Sequence, residues 1–222
     1  MFEKVLIIGK NSKISQEFIK KIINKKNLKI IAPKKTQWNM KNISFDNKKI
    51  KIIKEVDKIL LLQSIISSKD FLKRRQSDLI NQININLISI IKICEIALRF
   101  NKKVKIIILG SESGIKGSYD ITYALTKTAI HKYVEEKKIK YPNQQLICIA
   151  PSTIIDTKMT LKRKDKKNVL KSISNNPKKR GIKAFEISNL IYNIFYNTTD
   201  YMTNLVIKVD GGKFSRMWLI NI

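Results

Sequence analysis

The sequence predicts an α/β protein: one domain built on a doubly wound parallel sheet with helices over both faces. Three observations carry this. Six short apolar runs, rich in β-branched residues, recur along the 222 residues, with longer helically spaced segments between them. No Pro/Gly/Ser-rich linker or internal repeat divides the chain, and its length suits a single core of ordinary size. Apolar residues make up 43% of the sequence, a globular composition.

The strand runs are Val5–Ile8, Leu28–Ile31, Ile59–Leu62, Val104–Leu109, Leu146–Ile149 and Leu205–Val209. They are continuously apolar instead of alternating, as strands buried on both faces of a parallel sheet are. Between them, Ile14, Phe18, Ile22 and Ile23 give one helical face. A long, more apolar helix spans about Ser77–Phe100, from Leu79 and Ile83 through Cys94 to Leu98. Leu125, Ala129 and Val134 give a third face, and Ile187, Leu190, Ile191, Ile194 and Phe195 a fourth. Ligands on such sheets bind at the carboxyl ends of the strands. Six of the seven glycines fall at or just after a strand run, where a turn needs backbone freedom.

The net charge of +28 comes from 45 Lys and Arg against 17 Asp and Glu. The excess is spread end to end, and Lys greatly outnumbers Arg, whereas bidentate phosphate or base recognition favours Arg. A solvated basic surface is the expectation, with no specific nucleic-acid partner. No apolar stretch approaches the ~20 residues of a membrane span, and the first run is too short and charged for a secretion signal. Cys94 and Cys148 sit inside apolar runs, as buried free thiols do. A cytoplasmic setting is expected. No Cys/His/carboxylate set has metal-ligand spacing, so no metal is expected.

The chemistry concentrates in Ile106-Ile107-Ile108-Leu109-Gly110-Ser111-Glu112-Ser113-Gly114, followed by Tyr123-Ala124-Leu125-Thr126-Lys127. A strand delivers Ser111 at its tip, with Ser113 as its understudy. Tyr123 and Lys127 then stand one helical turn apart on one face. An ammonium beside a phenol lowers the phenol pKa from its usual ~10, making it an acid/base, and the Ser hydroxyl can hold a carbonyl oxygen. Tyr-x-x-x-Lys alone is cheap in so basic a chain. A second match, Tyr133 and Lys137, lacks a strand-tip Ser and is discounted. His131, the one histidine, is expected at a surface or interface, and Trp38 and Trp218 as packing residues.

On these residues the chain resembles the short-chain dehydrogenase/reductase family over nearly its whole length. Ala129 matches the small residue after the Tyr-x-x-x-Lys turn. Ile149-Ala150-Pro151-Ser152, with Thr157 and Met159, resembles the family's turn after the next strand, and Val209-Asp210-Gly211-Gly212 its ending. Asn86, with Asn84 as a near neighbour, matches the Asn that holds a proton-relay water. The resemblance implies a Rossmann-type fold and an enzyme interconverting an alcohol and a ketone with NADP or NAD. Tyr123 would transfer the proton, Lys127 would hold the nicotinamide ribose, and Ser111 would orient the carbonyl. The implied cofactor contacts are Gly9, Asn11, Ser12, Ile14, Asn39 and Gln63, with Tyr123 and Lys127. It also implies a homodimer or homotetramer pairing the long helix and the Tyr123 helix.

The chain departs from the family in its first loop, Ile8-Gly9-Lys10-Asn11-Ser12-Lys13-Ile14-Ser15. Gly9 stays, while Lys13 and Ser15 replace two glycines. Lys13 either adds charge for the phosphates or obstructs them, and Ser12 or Ser15 caps the helix. Leu61-Leu62-Gln63-Ser64 stands where the family has Asn-Asn-Ala-Gly. After the second strand, Ala32-Pro33-Lys34-Lys35 offers no carboxylate for a ribose diol and two ammonium groups for a 2′-phosphate, which favours NADP. Residues 156–184 correspond to a substrate flap, here basic, which suits an anionic substrate such as a nucleotide sugar or acyl carrier. The alternative reading is a catalytically silent binding or scaffold protein with a decayed cofactor loop.

Overall fold

The structure, a computed structural model, describes residues 2–42, 44–163 and 165–215. Trp218 lies outside them. All six apolar runs are strands: β1 (Glu3–Ile8), β2 (Leu28–Ile31), β3 (Lys58–Leu61), β4 (Lys105–Leu109), β5 (Gln145–Pro151) and β6 (Leu205–Val209). They form one sheet in the order β2-β1-β3-β4-β5-β6, every pairing parallel. The chain passes from β1 to one side and then to the other, so the strand order reverses between β1 and β3. A crevice opens at such a point, outside the carboxyl ends of the strands.

The period of two in each strand assigns its side chains to two layers. Leu6 and Ile8 of β1 face one layer with Ile59, Leu61, Ile106 and Ile108. Helices α2 (Asn47–Glu55), α4 (Ser89–Phe100) and α6 (Ile121–Glu136) cover it through residues such as Ile53, Ile90, Cys94 and Val134, and α3 (Gln76–Ile83) precedes α4. Val5 and Ile7 face the other layer, covered by α1 (Lys13–Ile22) and α9 (Ala184–Tyr196), where the Phe18 and Phe195 rings lie 5.9 Å apart. Helix α3 runs into α4 through a π-helical turn at Asn84–Ile88, so the long helix is continuous but locally wider. Two faces differ from the sequence reading: Ile23, the residue after α1, is 61% exposed, and the face of α6 is turned. Leu125 is 63% exposed, and α6 packs its apolar contact through Ile130 and Val134. The polar residues Thr122, Thr126 and Lys127 take the remaining inward positions, which shifts the contact off the simple apolar stripe.

Three short helices, α5 (Ser113–Lys116), α7 (Lys158–Leu161) and α8 (Lys166–Ser174), lie after β4 and β5 on the carboxyl side of the sheet. Among the described residues no helix is long and apolar enough to cross a membrane.

Gly9, directly after β1, has φ +97°, and a Cβ there would lie 3.0 Å from the Leu62 carbonyl carbon and 3.1 Å from the Gln63 nitrogen. Only glycine brings the β1 turn this close to the end of β3. Gly9→Ala is expected to cost about 2 kcal/mol of stability, read from the urea midpoint. An unchanged midpoint would contradict the tight approach.

Candidate active site

Ser111 follows β4 by two residues, and its turn is anchored to β5. The Gly110 N–H donates to Ile149 O at 2.7 Å and the Glu112 N–H to Pro151 O at 2.9 Å. The Ser111 hydroxyl accepts the Ser113 N–H at 3.1 Å, which holds the turn against α5. Tyr123 and Lys127 enter from α6, whose start is fixed by Asp120. The Asp120 carboxylate caps the helix at the Tyr123 N–H (3.2 Å) and accepts from Ser67 N (2.7 Å), Gln82 Nε2 (2.7 Å) and Arg74 Nη1 (3.1 Å). One buried carboxylate thus ties α6 to α3 and to the loop after β3. Losing it would strand the Arg74 guanidinium inside the protein, the costly case for a buried pair.

Lys127 is 1% exposed, and its ammonium donates to Leu109 O at 2.7 Å. Burial pulls its pKa down to about 8. It lies 5.6 Å from the centre of the Tyr123 ring. The expected depression of the phenol is absent in this arrangement. Burial pushes Tyr123 above its ordinary value, and the Ser111 and Ser64 hydroxyls facing the phenol offset only part of that. One of the ammonium's three donors is held by the strand-tip carbonyl.

Behind this group, Asn86 is fully buried in the π-helical turn. Its Oδ1 accepts from Ile65 N (2.8 Å) and Ser64 Oγ (3.2 Å), and its Nδ2 donates to Ile65 O (2.9 Å). Asn84 turns away to Lys41 O at 2.8 Å, which separates the two candidates. Ser64, noted in the sequence only as a departure from the family's turn and given no role there, therefore stands between the phenol and Asn86. The second Tyr-x-x-x-Lys pair faces elsewhere: Tyr133 and Lys137 both bond Glu95 on α4, at 2.8 and 2.6 Å.

Ser111, Tyr123 and Lys127 line a cavity of about 800 Å³, walled on the far side by Thr157, Lys158 and Arg163. A second cavity of about 270 Å³ sits over the β1–β3 reversal and is lined by Gly9, Asn11, Ser12 and Gln63. Ser12, Leu62 and Ser64 line both, so the two form one crevice. Ile14 lines the larger part. Ser12, not Ser15, caps α1, accepting the Ser15 N–H at 3.0 Å. Asn39 lines neither cavity; its side chain folds back to Lys41 N at 3.2 Å, and its neighbours Trp38 and Met40 form that wall instead. Lys13 faces Asp156 at 2.9 Å. Among the described residues no cluster of three His, Cys, Asp or Glu side chains is placed to hold a metal.

The lining of the crevice suits a dinucleotide: both amide atoms of Gln63 are buried without a protein partner. The first amides of α1 add free N–H groups and the positive end of the helix dipole.

His131 is buried, against the surface placement its sequence position implied. It lies two turns beyond Tyr123, beneath the Ser111 turn. A Cβ on Gly110 would come within 2.6 Å of its Nε2, and one on Gly114 within 2.6 Å of its Cε1. The two glycines are the space this ring occupies. Burial and the Lys127 charge lower its pKa to about 4, so Nε2 stays free to face the Ser111 N–H at 3.5 Å. Because the folded value lies below the ordinary ~6.5, the unfolded chain takes up the proton first. Stability is whole above pH 6.5 and falls between 6.5 and 4, by about 3 kcal/mol at most. His131→Asn is expected to flatten that part of the urea-measured pH profile. A profile identical to that of the unchanged protein would contradict the neutral, buried imidazole.

No family model and no curated protein matches the sequence. Solved structures match nearly the whole chain. A short-chain dehydrogenase family protein from Francisella tularensis shares 19% identity over 96% of this chain and 99% of that one, with TM-score 0.78. The short-chain dehydrogenase/reductase glucose/ribitol dehydrogenase from Brucella melitensis shares 20% over 96% and 98%, with TM-score 0.76. A variant of actinorhodin polyketide ketoreductase, solved with NADPH, shares 11% over 96% and 98%, with TM-score 0.76. With its six-stranded parallel sheet and its crevice at the β1–β3 reversal, this chain has the fold of the short-chain dehydrogenases/reductases.

Proposed function

We propose that the protein is an NAD(P)-dependent oxidoreductase that interconverts an alcohol and a ketone on a small anionic substrate. The observation that carries this is the meeting of Ser111, Tyr123 and Lys127 on one wall of the larger cavity, which continues into a dinucleotide-sized crevice. Gly9, Asn11, Ser12, Ile14 and Gln63 would hold the cofactor. When bound, the nicotinamide supplies or takes up the hydride. The chain's own residues handle the rest. Ser111 orients the carbonyl oxygen with its hydroxyl, and Tyr123 holds the proton that this oxygen gains or loses. Lys127 keeps a positive charge beside the phenol, with Ser64 and Asn86 behind it as a polar path. The actinorhodin ketoreductase structure contains NADPH, and Lys10, Lys35 and Lys41 border the smaller cavity here, which together favour NADP.

Lys116, Lys158 and Arg163 line the larger cavity; Lys116 pairs with Glu112 and Arg163 with Asp165, and Lys158, with no ion pair among the described residues, supports an anionic substrate of the nucleotide-sugar or acyl-carrier type. Residues 156–184, which supply α7 and α8, act in this reading as the flap over it. Exposed Ile80, Ile83 and Ile88 on the long helix and Ile121 and Leu125 on α6 support a homo-oligomer formed through that side. The alternative, a silent binding protein, draws on the raised phenol and the Lys127–Leu109 bond.

NADPH fluorescence is expected to show saturable binding at micromolar to low-millimolar concentration, tighter than for NADH. In assays of NADPH oxidation across phosphorylated and carboxylated ketones, Tyr123→Phe is expected to lower turnover about a hundredfold or more while binding persists. Binding without turnover by the unchanged protein would favour the silent reading, and no binding of either nucleotide at millimolar concentration would end the proposal.

A further inference from the structure

The replacement of a glycine by Lys13 in the turn after β1 has a partner 143 positions away in the chain. Lys13 Nζ lies 2.9 Å from Asp156 Oδ2, with the two side chains 44% and 25% exposed. Lys13 opens α1 and lines the larger cavity; Asp156 follows β5 between Ile154 and Thr157, which line the same cavity. The pair therefore ties the start of α1 to the loop after β5 beside the larger cavity. Asp156 also has a second duty: its other oxygen accepts the Ala184 N–H at 2.8 Å and so caps α9. Burial raises its pKa, but the Lys13 ammonium and the Ala184 N–H more than offset this, so it is held as a carboxylate.

Given the proposed dinucleotide site, on which this inference rests, we propose that Asp156 sets the crevice's affinity for a diphosphate by competing with it for the Lys13 ammonium. The free amides at the start of α1 and its dipole favour an anion at that helix end. The Lys13 side chain roots at the first position of the same helix, and its ammonium has three donors to share. An ion pair this exposed is worth little, so a bound diphosphate can draw the ammonium away or share it. The carboxylate opposes the anion twice, by holding the cation and by its own charge.

The test is a two-by-two set: the unchanged protein, Asp156→Asn, Lys13→Met and the double variant, titrated with NADPH. Asp156→Asn keeps the oxygen that caps α9 and removes the charge. It is expected to tighten NADPH binding about fivefold, the scale of one exposed ion pair. Lys13→Met is expected to weaken binding, and in its background the Asp156→Asn gain should fall below about twofold, because there is no ammonium left to release. Adenosine 2′-monophosphate, which has no diphosphate, should bind all four proteins alike. Unchanged or weaker NADPH binding by Asp156→Asn would overturn the competition. A gain of equal size with and without Lys13 would also overturn it, leaving Asp156 acting by its own charge alone. NADPH bound equally by all four proteins overturns the pair's role and spares the functional reading; no binding by any of them overturns both.

Discussion

The site depends on one buried charge. Lys127 carries an ammonium into the interior, where its sole partner among the described residues is the Leu109 carbonyl at the tip of β4. Desolvating an ammonium is expensive, and the position is held only because α6 is fixed at both levels around it. Asp120 pins the helix start to α3 and to the loop after β3, while His131 fills the space under the Ser111 turn one helical turn beyond Lys127. The strand tip, the serine turn and the tyrosine helix are thereby one unit. A shift of α6 by one residue would break the ammonium's bond, the capping bonds and the ring's fit at Gly110 and Gly114 together.

Much of the fold was legible because the physics that builds a parallel sheet is local and repetitive. Strands buried on both faces must be apolar throughout, and each of the six apolar runs became a strand. The crossover helices were legible by their stripes, except where polar residues work inside. Leu125 was misassigned because α6 uses its inward face for Thr122, Thr126 and Lys127, so the apolar stripe no longer marks the core side.

The site was legible where spacing alone carries it, in the strand-tip serine and the paired Tyr123 and Lys127. It was not legible where a side chain's environment is set by distant elements. His131 looked like a surface residue because the room for its ring is made by glycines 21 and 17 residues upstream on the β4 turn. Asn39 matched a position by order, but its amide closes on its own loop. Ser64 stands where the family pattern has glycine, and nothing in the local sequence says that its hydroxyl meets Asn86. The Lys13–Asp156 pair likewise appears only once the segments after β1 and β5 are brought together at the carboxyl end of the sheet.

The direct measurement is the titration of the Lys127 ammonium, followed by ¹³C NMR of the lysine ε-methylenes with Lys127→Arg to assign it. A resonance titrating near pH 8 and missing from the variant is the expected result, since burial lowers this group to about 8. If the signal lost in the variant titrates near the ordinary ~10.4 of a solvated lysine, the ammonium is not held at the β4 tip, and the proposed acid–base site loses its foundation.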